Sequence, residues 1–313
     1  MANATALVVP CTKTKSVPPC DCLRFGALVP GSVEDIVEDW MGRALCINTR
    51  EIVHQLYSGM GWKHALCAEQ LLGNACQLWA VSAGFGLVRG DEPIPSYAAT
   101  FAAENNRIAD QVVGMRFIRS AHASWWKAIN EKRGRSQTPL RSTFRDYDRV
   151  IIALSAPYLA AVCSDLELLA GALGPERLWL VAVGVDARTL SPELRQCAVP
   201  LTSQVEQLVS SPRATLNLRT LVWWLEEIVP IAGWDREAQQ REIHRRLCDV
   251  APKAVRVART LSDKEVARWI EGQRAEVGGQ WPHGGKTQLL KALRESGLAC
   301  EQKRFSRICE EVR

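Results

Sequence analysis

Four short apolar runs punctuate the chain: Ala6–Pro10, Leu78–Ser82, Val150–Ser155 and Leu178–Gly184. None alternates polar with apolar positions, which predicts strands covered on both faces. Between them, apolar residues recur at helical spacing over Thr49–Met60, Trp62–Leu72, Tyr97–Val113, Met115–Asn130 and Pro157–Leu173. Alternation of strand and helix predicts an α/β fold with a central, mostly parallel sheet flanked by helices. The runs end in CTKTK, SAGFG, SAPY and GVDA. Ligands of open α/β sheets bind at the carboxyl ends of the strands, so these four loops are expected to line one crevice. The basic, turn-rich stretch Glu131–Asp148 is expected as an exposed loop near its rim.

Arg213–Val229 continues the helical pattern, and Pro230–Trp234 interrupts it. That break predicts an α/β domain over residues 1–233 and an all-helical domain over 234–313. The tail's helices are expected near Asp235–Asp249, Ser262–Glu276, Gly285–Ser296 and Glu301–Val312. Ser296-Gly297 stops the third, since glycine tolerates a left-handed cap. A helix, a short turn and a second helix opening on long polar side chains match the helix-turn-helix pattern. Lys286, Lys303, Arg304 and Arg307 would then face DNA. A plain helical hairpin fits the same spacing.

Charge sharpens this picture. Residues 1–233 hold 22 basic and 22 acidic side chains, whereas residues 234–313 hold 17 and 12. The whole net charge of +5 therefore lies in the tail. A basic appendage on a neutral body fits a polyanion partner, although a solvated helical tail has the same composition.

The 313 residues are 47% hydrophobic and 23% charged, which excludes a mainly disordered or fibrous chain. No uninterrupted apolar run approaches the ~20 residues that span a bilayer. MANATALVVPCTKTK has no basic region before its apolar run, so it reads as a strand and not as a signal peptide. Eleven scattered cysteines are then expected as reduced thiols in the cytoplasm. Eleven tryptophans against six phenylalanines and four tyrosines have no evident cause in the sequence.

Candidate chemistry gathers in the loops. Cys11, Thr12, Lys13 and Lys15 follow the first run, where hydroxyls, amines and free backbone amides suit an anion. The spacing of a nucleotide-triphosphate loop is missing, as is G-x-G-x-x-G. Cys11, Cys20 and Cys22 lack the paired spacing of zinc sites, and His54 and His64 complete no ligand pattern. A nucleophilic Cys11 would need a base that the sequence does not place. After the second run come Ser82, then Phe85 between Gly84 and Gly86 at an expected loop tip, then Asp91 and Glu92 before two prolines. Asp91 is the expected general base or electrostatic stabiliser, against a simple turn-forming role. Ser96 is expected to cap a helix that begins at Tyr97. Ser155 and Tyr158 open a helix with proline in its first turn, an anion-binding arrangement. Asp186 ends the last strand and is a second carboxylate candidate. Asn217 and Arg219 sit on the later helix, where Asn217 could read a base edge.

Taken in order, the segments strand-CTKTKS, Tyr57-Ser58-Gly59, W-x-V-S-A-x-x-G-L-V and I-P-S-Y-x-x-T-F resemble a family of bacterial proteins. That family has a C-[ST]-x-x-K loop and an S-A-x-[YF]-G-L segment. It is similar to the nucleobase domain of archaeosine synthase and, more distantly, to the YaaA proteins, whose domains resemble the uracil-DNA glycosylase fold. The chain also resembles anti-phage DNA glycosylases acting on glucosylated hydroxymethylcytosine. The resemblance covers about residues 5–230. It implies cleavage of an N-glycosidic bond in modified phage DNA, with no metal or organic cofactor. It further implies that Asp91 acts on the sugar, that Phe85 and Tyr97 stack the extruded base, and that Thr12, Lys13, Lys15 and Ser155 hold phosphates. The G-x-D-P-Y and H-P-S-P motifs of uracil-DNA glycosylases are missing, so neither the catalytic residue nor the excised base is assigned. Two other readings remain: a DNA-binding nucleobase sensor, and an enzyme that modifies a base in place.

Overall fold

In the computed structural model of the protein, the structure describes residues 4–102, 105–183, 189–201, 204–210, 212, 214–248, 250, 259–276 and 285–312. Among the described residues, seven strands form in the body: β1 (Thr5–Pro10), β2 (Glu51–Ile52), β3 (Cys76–Ser82), β4 (Gly86–Arg89), β5 (Pro93–Ile94), β6 (Arg149–Ala153) and β7 (Leu178–Val181). Five of them make one sheet in the order β4-β3-β1-β6-β7. All neighbours are parallel except β4, which returns antiparallel to β3. β2 and β5 form a separate antiparallel pair.

The register aligns Leu78, Leu7, Ile151 and Trp179 in one row across β3, β1, β6 and β7. All four are buried, and each contributes about 1.5–3 kcal/mol of transfer free energy. Continuous apolar strands need cover on both faces, and helices supply it. Met60–Leu72 and Leu216–Glu227 pack on each other, the first also on β1 and β3, the second on β6 and β7. Val33–Leu45, Ile118–Lys132 and Ala156–Arg177 pack in series, with Ile118–Lys132 against β4 and Ala156–Arg177 against β7. Ala156–Arg177 is long and apolar enough to cross a membrane by length and composition. Here Leu159, Val162, Leu166 and Leu169 on it are buried in the core.

Three expected elements differ. Among the described residues of Tyr97–Val113 the one helical element is a short turn of 3-10 helix at Ile108–Asp110. The backbone there bonds elsewhere, with Ala98 N donating to Leu23 O and Phe25 N to Ala98 O, both at 2.8 Å. Ser96 accordingly caps nothing, and its hydroxyl donates to Val17 O at 2.6 Å. Thr49–Met60 divides into β2 and the one-turn helix Val53–Leu56. Glu131–Asp148 is not a loop: it contains the helix Pro139–Phe144, with Leu140 and Phe144 fully buried.

The boundary also moves. The chain forms two compact units, residues 1–252 and 253–313, and not 1–233 and 234–313. Helix Arg236–Leu247 belongs to the body because its first turn is tied there. Arg236 donates to Pro175 O, Leu178 O and Ala198 O. Gln239 accepts from the indole of Trp224 and donates to Gly233 O. The body is then neutral, with 26 charges of each sign, and the last 61 residues carry 13 basic and 8 acidic side chains.

The second unit has helices Asp263–Glu276, Gly285–Glu295 and Gln302–Glu311. They enclose Val266, Ile270, Leu289, Leu293, Phe305 and Ile308. It is not purely helical, because β8 (Arg259–Thr260) pairs in parallel with β9 (Leu298–Ala299).

The structure explains much of the tryptophan content. Indole N–H groups of Trp40, Trp62, Trp125, Trp126 and Trp224 each donate to a partner inside the body. Trp179, Trp224 and Trp234 pack edge to face or tilted, with ring centroids 5.5–5.7 Å apart. Arg149 and Arg236 lie over Trp234 and Trp179 at 3.7 and 4.0 Å.

Two buried ionisable groups set opposing acid responses. Asp165 accepts from Leu140 N, Arg141 N and the Trp126 indole, yet burial raises its pKa to about 6. Burial lowers His122 to about 4. Stability associated with Asp165 is fully present below about pH 4 and is lost as pH rises through 6. Stability associated with His122 is present above about pH 6.5 and is lost as pH falls through 4. Each amounts to about 3 kcal/mol at 1.36 kcal/mol per pH unit, so the two largely cancel in the wild type. His122→Gln should therefore leave a protein that gains stability from pH 6.5 to 4 relative to wild type. Urea unfolding across that range measures it, and parallel curves for the two proteins would refute it.

Candidate functional site

The parallel strands end together, and the loops after them converge. At the end of β1, Cys11 N extends the ladder by donating to Val81 O. Its buried thiol lies 3.2 Å from the Tyr158 hydroxyl. The chain then turns through Thr12, whose hydroxyl donates to Thr14 O. Lys15 pairs with Tyr57 across an isolated bridge and folds inward. Its amine donates to Thr12 O at 3.0 Å and sits 4.2 Å from the centre of the Tyr97 ring.

At the end of β3, Ser82 Oγ accepts from Phe85 N at 2.9 Å and lies 2.7 Å from the Tyr97 hydroxyl. That hydroxyl lies 2.8 Å from the hydroxyl of Tyr57. Ser82, Tyr97 and Tyr57 thus form one buried hydroxyl chain. Two helices hold the turn that anchors it: Trp125 donates to Ala83 O and Trp40 to Gly84 O, both at 2.7 Å. At the end of β6, Ser155 precedes the helix that carries Tyr158, and its hydroxyl makes no capping bond.

A cavity of about 240 Å³ opens here, lined by Lys13, Lys15, Arg24, Tyr97, Thr100 and Tyr158, with Asn105 and Asn106. Among the described lining residues there are three cations and no carboxylate. Burial holds the Tyr57, Tyr97 and Tyr158 hydroxyls well above the usual phenol range, so they stay protonated. Burial draws the Lys15 amine below the ordinary lysine value, opposed in part by Cys11. A larger groove of about 670 Å³ runs along Arg236–Leu247, but no buried polar side chain lines it. Chemistry, not volume, selects the smaller cavity.

Several expected site residues lie elsewhere. Asp91 is not in the crevice. The β3–β4 hairpin pairs Ser82 with Gly86 at the crevice end and Trp79 with Arg89 at the other. Asp91 follows Arg89, about 10 Å of extended strand away. Its side chain is 60% exposed and ion-paired with Arg89. Phe85 is not presented at a loop tip; at 2% exposure it packs against Trp40 and Tyr97. Asn217 is committed to structure. Its side chain accepts from Val183 N at 2.6 Å and donates to Leu154 O at 2.8 Å, tying together the ends of β7 and β6. Asp186 lies outside the described residues. Tyr57, Arg24 and Thr100 were not expected as site residues; Tyr57 and Thr100 lie in the segments Tyr57-Ser58-Gly59 and I-P-S-Y-x-x-T-F, whereas nothing local marks Arg24.

In the second unit, most of the expected DNA contacts have partners. Arg304 and Arg307 both clamp Asp263, at 2.5 and 2.6 Å. Lys286 pairs with Glu310 at 2.7 Å. Lys303 is exposed, but Glu301 caps its helix by accepting from Lys303 N and Arg304 N. That carboxylate occupies the amides a phosphate would use. A groove of about 340 Å³ collects Lys286, Lys291 and Arg294 together with Glu295, which lies 3.8 Å from Lys291.

Comparison with protein-family models, with curated proteins and with solved structures gave no match.

Proposed function

We propose that the chain is a DNA glycosylase that cleaves the N-glycosidic bond of a modified base in phage DNA. The carrying observation is the buried Ser82–Tyr97–Tyr57 hydroxyl chain facing a small, cation-lined cavity at the strand ends. The cavity falls below the roughly 300–1,000 Å³ usual for larger ligands, which suits one extruded base and its sugar. Lys13 favours the flanking phosphates, as does Arg24, which is shared with Asp21 at 2.8 Å. As the bond to the base lengthens, negative charge grows on the leaving ring. A tyrosine that stays protonated offers a fixed donor to that charge, without the reorganisation that water requires.

The lack of a carboxylate among the described lining residues favours one alternative, a non-catalytic nucleobase sensor. Mass spectrometry of small molecules released from modified phage DNA, with a count of abasic sites, separates the two. Free base and abasic sites support the glycosylase. Intact DNA with tight binding supports the sensor, and an altered base still in the DNA supports modification in place.

The second unit would hold the duplex. Asp263→Asn releases Arg304 and Arg307 from their shared carboxylate. Binding to duplex DNA should then fall more steeply with salt, by about 1–2 in the log–log slope. Fluorescence anisotropy from low to moderate salt measures this. An unchanged slope would show that this helix face does not meet phosphates.

A further inference from the structure

The reaction needs a group that attacks or stabilises the sugar, and Asp91 is on the wrong edge of the sheet. One side chain at the cavity is placed for that task. Lys15 is held at its backbone by the bridge to Tyr57 and at its amine by a single acceptor, Thr12 O. Among the described residues it makes no ion pair, in contrast to Lys132 with Glu38 and Lys286 with Glu310. Its amine lies 4.2 Å from the centre of the Tyr97 ring and 5.6 Å from that of Tyr57, and the side chain lines the same cavity as Lys13 and Arg24. Burial of the amine in this confined space disfavours its charge. A lysine so placed is a nucleophile.

Resting on the glycosylase reading, we propose that the Lys15 amine attacks C1′ of the extruded nucleotide and forms a covalent Schiff base with the sugar. The neutral amine forms the N–C1′ bond while the bond to the base breaks and its electron pair leaves with the base. Tyr97 keeps its proton and hydrogen-bonds to the departing base, which takes a proton from water and leaves hydroxide. The sugar ring then opens, as one amine proton passes to O4′ and an iminium remains between Lys15 and C1′. Water adds to C1′, the C–N bond breaks, and an abasic aldehyde and protonated Lys15 result. That lysine gives its proton to the hydroxide and re-forms water. One water is consumed and one free base is released.

Borohydride reduces such an iminium to a stable amine. The full chain is incubated with sodium borohydride and either modified phage DNA or an oligonucleotide carrying a preformed abasic site. The expected result is a covalent protein–DNA adduct on both, mapped by peptide mass to Lys15. The adduct should be lost in Lys15→Met and Lys15→Arg and retained in Lys132→Met. Lys15→Arg keeps the charge, so the loss remains interpretable if Lys15→Met fails to fold. Base release without an adduct, or an adduct on another lysine, would overturn the inference and leave the glycosylase reading standing. An adduct at Lys15 on abasic DNA without base release would support the reactive amine and refute the glycosylase reading. No adduct on either DNA would overturn the inference outright.

Discussion

Tyr97→Phe should lower the rate of base release by about 10²–10³-fold, the usual cost of removing one preorganised donor at a reacting centre. The ring would stay, because it packs against Trp40, Phe85 and Tyr57. Only the hydroxyl between Ser82 and Tyr57 would go. Two buried hydroxyls would each lose a partner, at a cost of about 1–3 kcal/mol in stability. Single-turnover rates and thermal melting on the same preparations separate the two effects. A rate loss confined to the fraction unfolded would assign Tyr97 to packing alone.

Gly86→Ala carries the largest expected stability effect, a loss of roughly 3–5 kcal/mol from left-handed strain and overpacking combined. Gly86 has φ +66°, and an added Cβ would lie 2.5 Å from Asn130 Oδ1. Asn130 has no room to yield: it is fully buried, accepts from Leu87 N at 2.9 Å and donates to Trp126 O at 2.7 Å. The damage would spread, since Ser82 and Gly86 are partners at the mouth of the hairpin. Chemical denaturation reads the loss directly. A destabilisation under about 1 kcal/mol would mean that the hairpin closes without the constraint described here.

How much of this was legible in the sequence depends on the range of the interactions. β1, β3, β6 and β7 were readable because a buried parallel strand leaves an unbroken apolar run. Lys15, Ser82 and Tyr158 followed from the rule that ligands meet strand ends. Asp91 failed for a topological reason. Gly86-Leu87-Val88-Arg89 is too short to announce a strand. Once it is read as loop, nothing shows that it carries the chain back to the far edge of the sheet. Tyr97–Val113 has helical apolar spacing, yet Ala98 N donates to Leu23 O and Val113 N to Gly31 O, distant partnerships that no local pattern encodes. The tryptophans are opaque for the same reason: Trp40 and Trp125 meet carbonyls more than 40 residues distant. The domain break at Pro230–Trp234 was misplaced because a proline ends a helix without ending a core.

The central claim is that the chemistry belongs to the crevice around Tyr97 and Lys15, not to the acid on the opposite edge. Base release from modified phage DNA by Asp91→Ala and Tyr97→Phe, measured side by side with the wild type, tests it most directly. The expected result is full release by Asp91→Ala and a loss of about 10²–10³-fold in Tyr97→Phe. Release abolished in Asp91→Ala and intact in Tyr97→Phe would contradict the account.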